Sequence, residues 1–127
     1  MTGCRILVVD DNEFILEATA TALGLAGYDV ETAANGLEAL HRVEEAAPSA
    51  IVLDLMMPVM DGFSLARILR ERGVRLPLVV ISASTNGKAW ADQIGATFVA
   101  KPFGAGELLA ALQQAGIGPD RPMNRAA

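Results

Sequence analysis

A chain of 127 residues and 13.3 kDa suits one domain and excludes a multidomain enzyme, and 52% hydrophobic against 20% charged residues supply a core and exclude a disordered chain. Fifteen acids against ten bases give a net charge of -5; duplex binding requires a basic face to neutralise phosphates, so direct nucleic-acid binding is not expected. A single cysteine, Cys4, permits no internal disulfide, and no apolar run nears the roughly 18 residues that cross a bilayer; a cytoplasmic protein without membrane insertion is expected.

The first segment, Arg5 to Val9, is a continuous apolar run rich in β-branched residues and closed by Asp10 and Asp11, the pattern of a strand buried on both faces. Asn12 is placed to cap a helix whose apolar residues Phe14, Ile15, Ala18, Ala22 and Leu25 recur at near-helical spacing up to Gly27. A short strand is predicted from Tyr28 to Thr32, and Asn35-Gly36 reads as a turn. The next helix carries Leu37, Leu40 and Val43 toward Pro48. Ala50 to Asp54 is a second buried-type strand, again ending on an aspartate, and Met57 to Gly62 reads as a loop. A helix then runs from Phe63 to about Arg72, closed by Gly73, and Leu78 to Ser82 is a third buried-type strand. Asn86-Gly87 breaks the chain ahead of a short helix from Lys88 to Ile94. Thr97 to Lys101 is the last strand, and Gly104 to Gln114 the last helix, with Leu108, Leu109 and Leu112 inward. Five strands alternating with five helices predict an α/β domain, an open parallel sheet with helices on both faces. Residues 1–115 make the domain; 116–127, without periodic apolar pattern, read as a flexible tail or the start of a linker.

In such a sheet, ligands sit beyond the carboxyl ends of the strands where strand order reverses. Asp10 and Asp11, Asp54, Ser82 and Lys101 all fall at those ends. Two unit charges 4 Å apart repel by about 4 kcal/mol at an effective dielectric near 20, so gathered carboxylates need a positive partner. Lys101 is one, and a hard divalent ion with oxygen ligands, Mg²⁺, is the natural addition; the His and Cys that favour zinc are lacking. A carboxylate beside Mg²⁺, a lysine and a hydroxyl suits phosphoryl transfer onto that carboxylate, with Asp54 as nucleophile and an acyl phosphate as product. Any one of these aspartates alone would be an ordinary strand-end acid; their joint pattern is specific.

The stretches VVDDN, IVLDLMMPVMDG, VVISAS and FVAKPF, in this order, resemble the receiver domain of two-component response regulators over about Arg5 to Ala115. The resemblance implies a (βα)5 flavodoxin-like three-layer sandwich with a parallel five-stranded sheet of order 2-1-3-4-5. It implies Asp54 as phosphoacceptor. It further implies Asp11 as the direct Mg²⁺ ligand, Asp10 as a partner acting through bound water, and the backbone carbonyl of Met56 as the third protein ligand, with Mn²⁺ a possible substitute. In the same way Ser82 and Lys101 match the residues that bind the phosphoryl group, and Phe98 matches the aromatic switch position. Lys101-Pro102 matches a peptide bond that is cis in the family. Ala83 keeps the position after Ser82 small, and Gly62 lets the loop after Asp54 turn tightly.

The implied function is a phosphorelay module. It accepts a phosphoryl group from a histidine kinase or phosphotransfer protein and switches the last two strand-helix units, roughly Ser84 to Gln114, for partner binding. Such a module is no enzyme in the ordinary sense, catalysing only its own phosphorylation and dephosphorylation. The rival, a Mg²⁺-dependent aspartyl-phosphate phosphatase, wants a second acid two residues after the nucleophile, where Met56 stands. At this length the output is expected in a downstream protein partner or a further domain. The stretch from Ser82 to Lys101 is shorter than in typical receivers, which predicts a short fourth helix on the expected output face.

Overall fold

Runs of Val, Ile and Leu without polar interruption are stable as strands only when covered on both faces. Three such runs form the middle of the sheet. The computed structural model describes residues 4–54, 61–101 and 103–118. In chain order the elements are β1 (Arg5–Val9), α1 (Glu13–Leu25), β2 (Asp29–Ala33), α2 (Gly36–Glu45), β3 (Ala50–Asp54), α3 (Gly62–Glu71), β4 (Leu78–Ser82), α4 (Gly87–Ile94), β5 (Thr97–Ala100) and α5 (Ala105–Gln114). The strands pair in parallel in the order β2-β1-β3-β4-β5. This is the expected flavodoxin-like sandwich. The order reverses at β1, so the carboxyl ends of β1 and β3 lie side by side at the switch point.

Alternation along each strand divides the core into two layers. Leu7, Val9, Ile51, Leu53 and Val80 pack with residues of α2, α3 and α4, such as Leu40, Leu65 and Ile94. Ile6, Val8, Val52, Val79 and Ile81 pack with residues of α1 and α5, such as Leu16, Leu23, Leu108 and Leu112. Polar caps fix where helices begin. The Asn12 side chain accepts from the N–H groups of Phe14 and Ile15, Asn35 from Glu38, and Asp61 from Ser64.

The structure differs from the sequence reading in several places. Along α1 the inward residues are Leu16, Thr19 and Leu23, while Phe14 and Leu25 are 87% and 86% exposed. This helix is apolar or small around most of its circumference, so periodicity alone does not say which stripe meets the sheet. Leu37 is likewise exposed on α2, whose buried face is Ala39, Leu40 and Val43. Asn35-Gly36 is the cap and first residue of α2 rather than a free turn. Gly62 is the buried first residue of α3, capped by Asp61, rather than a loop residue. β5 ends at Ala100, one residue before Lys101. Past α5, Ile117 donates its N–H to the Leu112 carbonyl (2.9 Å), accepts from the Tyr28 hydroxyl (2.7 Å) and packs on the α1–α5 layer. The chain is thus tied down two residues into the stretch read as a tail.

Candidate functional site

Val9 pairs with Leu53 in the register of β1 and β3, so the next residues, Asp10 and Asp54, are neighbours on the rim. Asp10 and Asp54 are buried; Asp11 points to solvent. One carboxylate oxygen from each of Asp10, Asp11 and Asp54 can be chosen so that all three lie within 4.8 Å of one another. Lys101 reaches the cluster from beyond β5. Its backbone N–H donates to the Ser82 carbonyl (3.0 Å), which anchors the residue at the rim. Its Nζ donates to Asp54 Oδ2 (3.0 Å) and lies 3.6 Å from Asp10 Oδ2.

The Asp10 carboxylate is divided in its environment. Oδ1 accepts the Asn12 N–H (2.9 Å), whereas Oδ2 is buried without a hydrogen-bond partner. Burial pushes the Asp10 carboxyl above the ordinary range, and the negative charges of Asp54 and Asp11 add to this; the Asn12 N–H and Lys101 act in the opposite sense without cancelling it. Burial also works against charge on Lys101. The hydrogen bond to Asp54 and the nearby carboxylates outweigh it, so the ammonium holds its proton above the usual lysine value. An oxygen-only donor set with an unsatisfied buried carboxylate oxygen fits a hard divalent cation such as Mg²⁺.

Ser82 closes β4 beside this cluster and is buried. Its Oγ accepts the Ser84 N–H (3.0 Å). Ala83 is exposed, and with Lys101 it lines one end of an apolar groove of about 450 Å³ between α1 and α5. Phe98, on β5, is half-buried and packs on the layer containing α4. The structure therefore brings Asp10, Asp11, Asp54 and Lys101 into one cluster, with Ser82 next to it along the rim. Gly62 is the buried first residue of α3. Met56 and Pro102, the expected carbonyl ligand and cis proline, lie outside the described residues.

Sequence reasoning missed two residues. Gly87, read as a chain break, is the buried first residue of α4 and lies against both Ser82 and Phe98. Arg70 donates from α3 to the Ile94 carbonyl at the end of α4. The only signals were a glycine's lack of side chain and an arginine's reach, and neither names a target.

The strand order and the rim cluster define a flavodoxin-like α/β module with an acidic, lysine-paired site at its switch point. A model of the response regulator receiver domain matches residues 6–113, and the chain belongs to that family. Membership implies a phosphoacceptor role in two-component signalling. Over 127 residues the chain is 39% identical to the response regulator MprA of Mycobacterium sp. (strain KMS), covering 93% of this chain and 55% of that protein. The chain thus spans about half the length of the curated relatives it matches. Among solved structures it is similar to the chemotaxis response regulator CheY4 of Vibrio cholerae, with a TM-score of 0.83, 34% identity and coverage of 90% of this chain and 99% of that one. It is also similar to the receiver domain of Francisella response regulator 1452, with a TM-score of 0.82, 33% identity and coverage of 89% and 96%.

Proposed function

We propose that Asp54 accepts the phosphoryl group. The observation that carries this is the 3.0 Å contact of Lys101 Nζ with Asp54 Oδ2 inside an acidic cluster in which Asp10 and Asp54 are buried. An Asp54 carboxylate oxygen attacks phosphorus, an O–P bond forms, and the donor's P–N or P–O bond breaks. A histidine donor leaves as imidazole and takes up a proton. Lys101 holds its proton throughout and neutralises the phosphoryl oxygens as charge spreads over them.

Asp10, Asp11, Asp54 and the Met56 carbonyl would hold Mg²⁺. When bound, the ion supplies the positive charge that three carboxylates and one lysine lack. The Ser82 hydroxyl donates to a phosphoryl oxygen once it turns toward Asp54. Moving a switch from 1:99 to 99:1 takes about 5.5 kcal/mol. One charge-assisted hydrogen bond supplies about 1.5–3 kcal/mol, so Lys101 and the cation share the task. Donor and reader are proteins: a histidine kinase or phosphotransfer protein on one side, and a partner or further domain at α4, β5 and α5 on the other. The setting is cytoplasmic, and residues 1–115 form the receiver.

The test is incubation with Mg²⁺ and a small acyl-phosphate donor, followed by intact mass for wild type and Asp54→Asn. A phosphoryl adduct on wild type alone supports the reading. Continuous turnover of the donor without adduct points to a phosphatase, and no adduct under any condition overturns the reading.

A further inference from the structure

Gly87 begins α4 where a side chain has no room. A Cβ built on it would stand 2.7 Å from Phe98 Cε1, 2.9 Å from Ser82 Cβ and 3.1 Å from Ser82 Oγ. Real Cβ atoms do not approach other heavy atoms so closely, so the helix start rests with bare backbone on both side chains. Hydrogen bonds link the same residues. The Ser84 N–H donates to Ser82 Oγ (3.0 Å), and the Gly87 N–H donates to the Ser84 carbonyl (3.1 Å).

The two ends of α4 are held differently. At the far end, the Arg70 guanidinium donates to the Ile94 carbonyl, and the Ala96 N–H donates to the Ala91 carbonyl (2.8 Å). At the near end, Asn86 makes no side-chain cap bond. Ser82 belongs to β4, whose backbone is fixed between β3 and β5. When the Ser82 side chain turns, what can yield is therefore the Phe98 ring or the start of α4, and both touch Gly87.

We propose that Gly87 is a positioning residue of the switch: its side-chain-free contact couples the rotation of Ser82 to Phe98 and to the N-terminal end of α4. This rests on the phosphorylation of Asp54 proposed above and on the switch positions Ser82 and Phe98 that the resemblance implies, and it adds Gly87 as the contact between them. A methyl group at position 87 holds the ring and the helix start away from Ser82. The chemistry at Asp54 is untouched, but α4 no longer senses it.

The experiment follows two signals on the whole chain with Mg²⁺ and an acyl-phosphate donor: the phosphoryl adduct by intact mass, and the amide resonances of residues 87–94 by NMR. Wild type is expected to form adduct and shift those resonances. Gly87→Ala is expected to form the same fraction of adduct with the phosphorylation-dependent shifts lost. Phe98→Ala alone leaves Gly87 against Ser82 and is expected to keep the shifts; adding it to Gly87→Ala removes the closest contact but leaves the 2.9 Å approach to Ser82 Cβ, so the shifts are expected to stay lost. If the single Gly87→Ala variant does not fold, the double variant carries the test, and wild-type-like shifts in it overturn the proposal. Adduct on G87A with shifts like those of wild type overturns this inference alone. No adduct on wild type overturns the phosphoacceptor reading and this inference with it.

Discussion

Lys101 Nζ stands 3.0 Å from Asp54 Oδ2 across 47 positions of sequence, and the same ammonium lies 3.6 Å from Asp10 Oδ2. One cation thus serves two buried carboxylates. Removing it in Lys101→Ala leaves both acids with less compensation. Stability should fall by about 1.5–3 kcal/mol, the worth of a charge-assisted contact. Urea unfolding checks this. The rate of phosphorylation from a small donor should fall about 100-fold, as when one charge-stabilising donor is lost.

Asp10 carries the opposite expectation. Its folded carboxyl titrates above the unfolded value, so the associated stability is full in acid and is lost as pH rises through the folded value, from about 4 upward. At neutral pH its charge therefore weakens the cation-free protein. Asp10→Asn should stabilise that form by about 1 kcal/mol, because an unsatisfied buried charge is removed. Mg²⁺ at a hundredfold excess over its Kd should stabilise wild type by about 2.7 kcal/mol, and most of that gain should vanish in the variant. Thermal or urea titrations with and without Mg²⁺ decide both points; equal Mg²⁺ stabilisation in the two proteins would remove Asp10 from the ligand set.

Tyr28 sets a limit at high pH. Burial, with Cys4 nearby, raises its phenol above the ordinary value of 10.0, and its hydroxyl donates to the Ile117 carbonyl. A raised folded pKa means the contribution is full below about pH 10 and is lost as pH rises through the folded value. Urea midpoints of wild type should therefore drop above about pH 10. Tyr28→Phe should start lower by about 1 kcal/mol for the lost hydrogen bond, with a shallower alkaline decline. Lys101 declines in the same direction in both proteins, so the difference between them isolates Tyr28.

The orientation of α1 is open to a direct check. Phe14→Ser and Leu25→Ser should change stability by less than about 0.5 kcal/mol, since both side chains already face water. Leu23→Ala, at a fully buried position, should cost about 2–5 kcal/mol. A large loss at Phe14 would mean that the other stripe faces the sheet.

Much of this molecule is dictated locally. Arg5–Val9, Ala50–Asp54 and Leu78–Ser82 agree between sequence and structure because an uninterrupted β-branched run has one stable use, a strand covered on both sides. Asn12 caps its helix because its carbonyl oxygen competes for the first free N–H groups within three residues. The rim residues Asp10, Asp54, Ser82 and Lys101 were legible for the same reason: a polar group that ends a buried strand must emerge where the strand does.

What tertiary packing decided are quantities with no local cause. Which stripe of α1 faces the sheet depends on how its Leu16 and Leu23 fit against Val52 and Leu112, not on the helix's own nearly uniform surface. Lys101 arrives from beyond β5 closer to Asp54 than to Asp10, and Asp10 Oδ2 is left without a hydrogen bond. The weight of Gly87 comes from β4 and β5 carrying Ser82 and Phe98 to the same point, at which a helix start is the third body. Sequence alone determined the elements and the chemical types on the rim, because burial and capping act within a few residues. Only the assembled sheet set the distances among them, because Coulomb and contact energies depend on separation in space, across dozens of residues of chain.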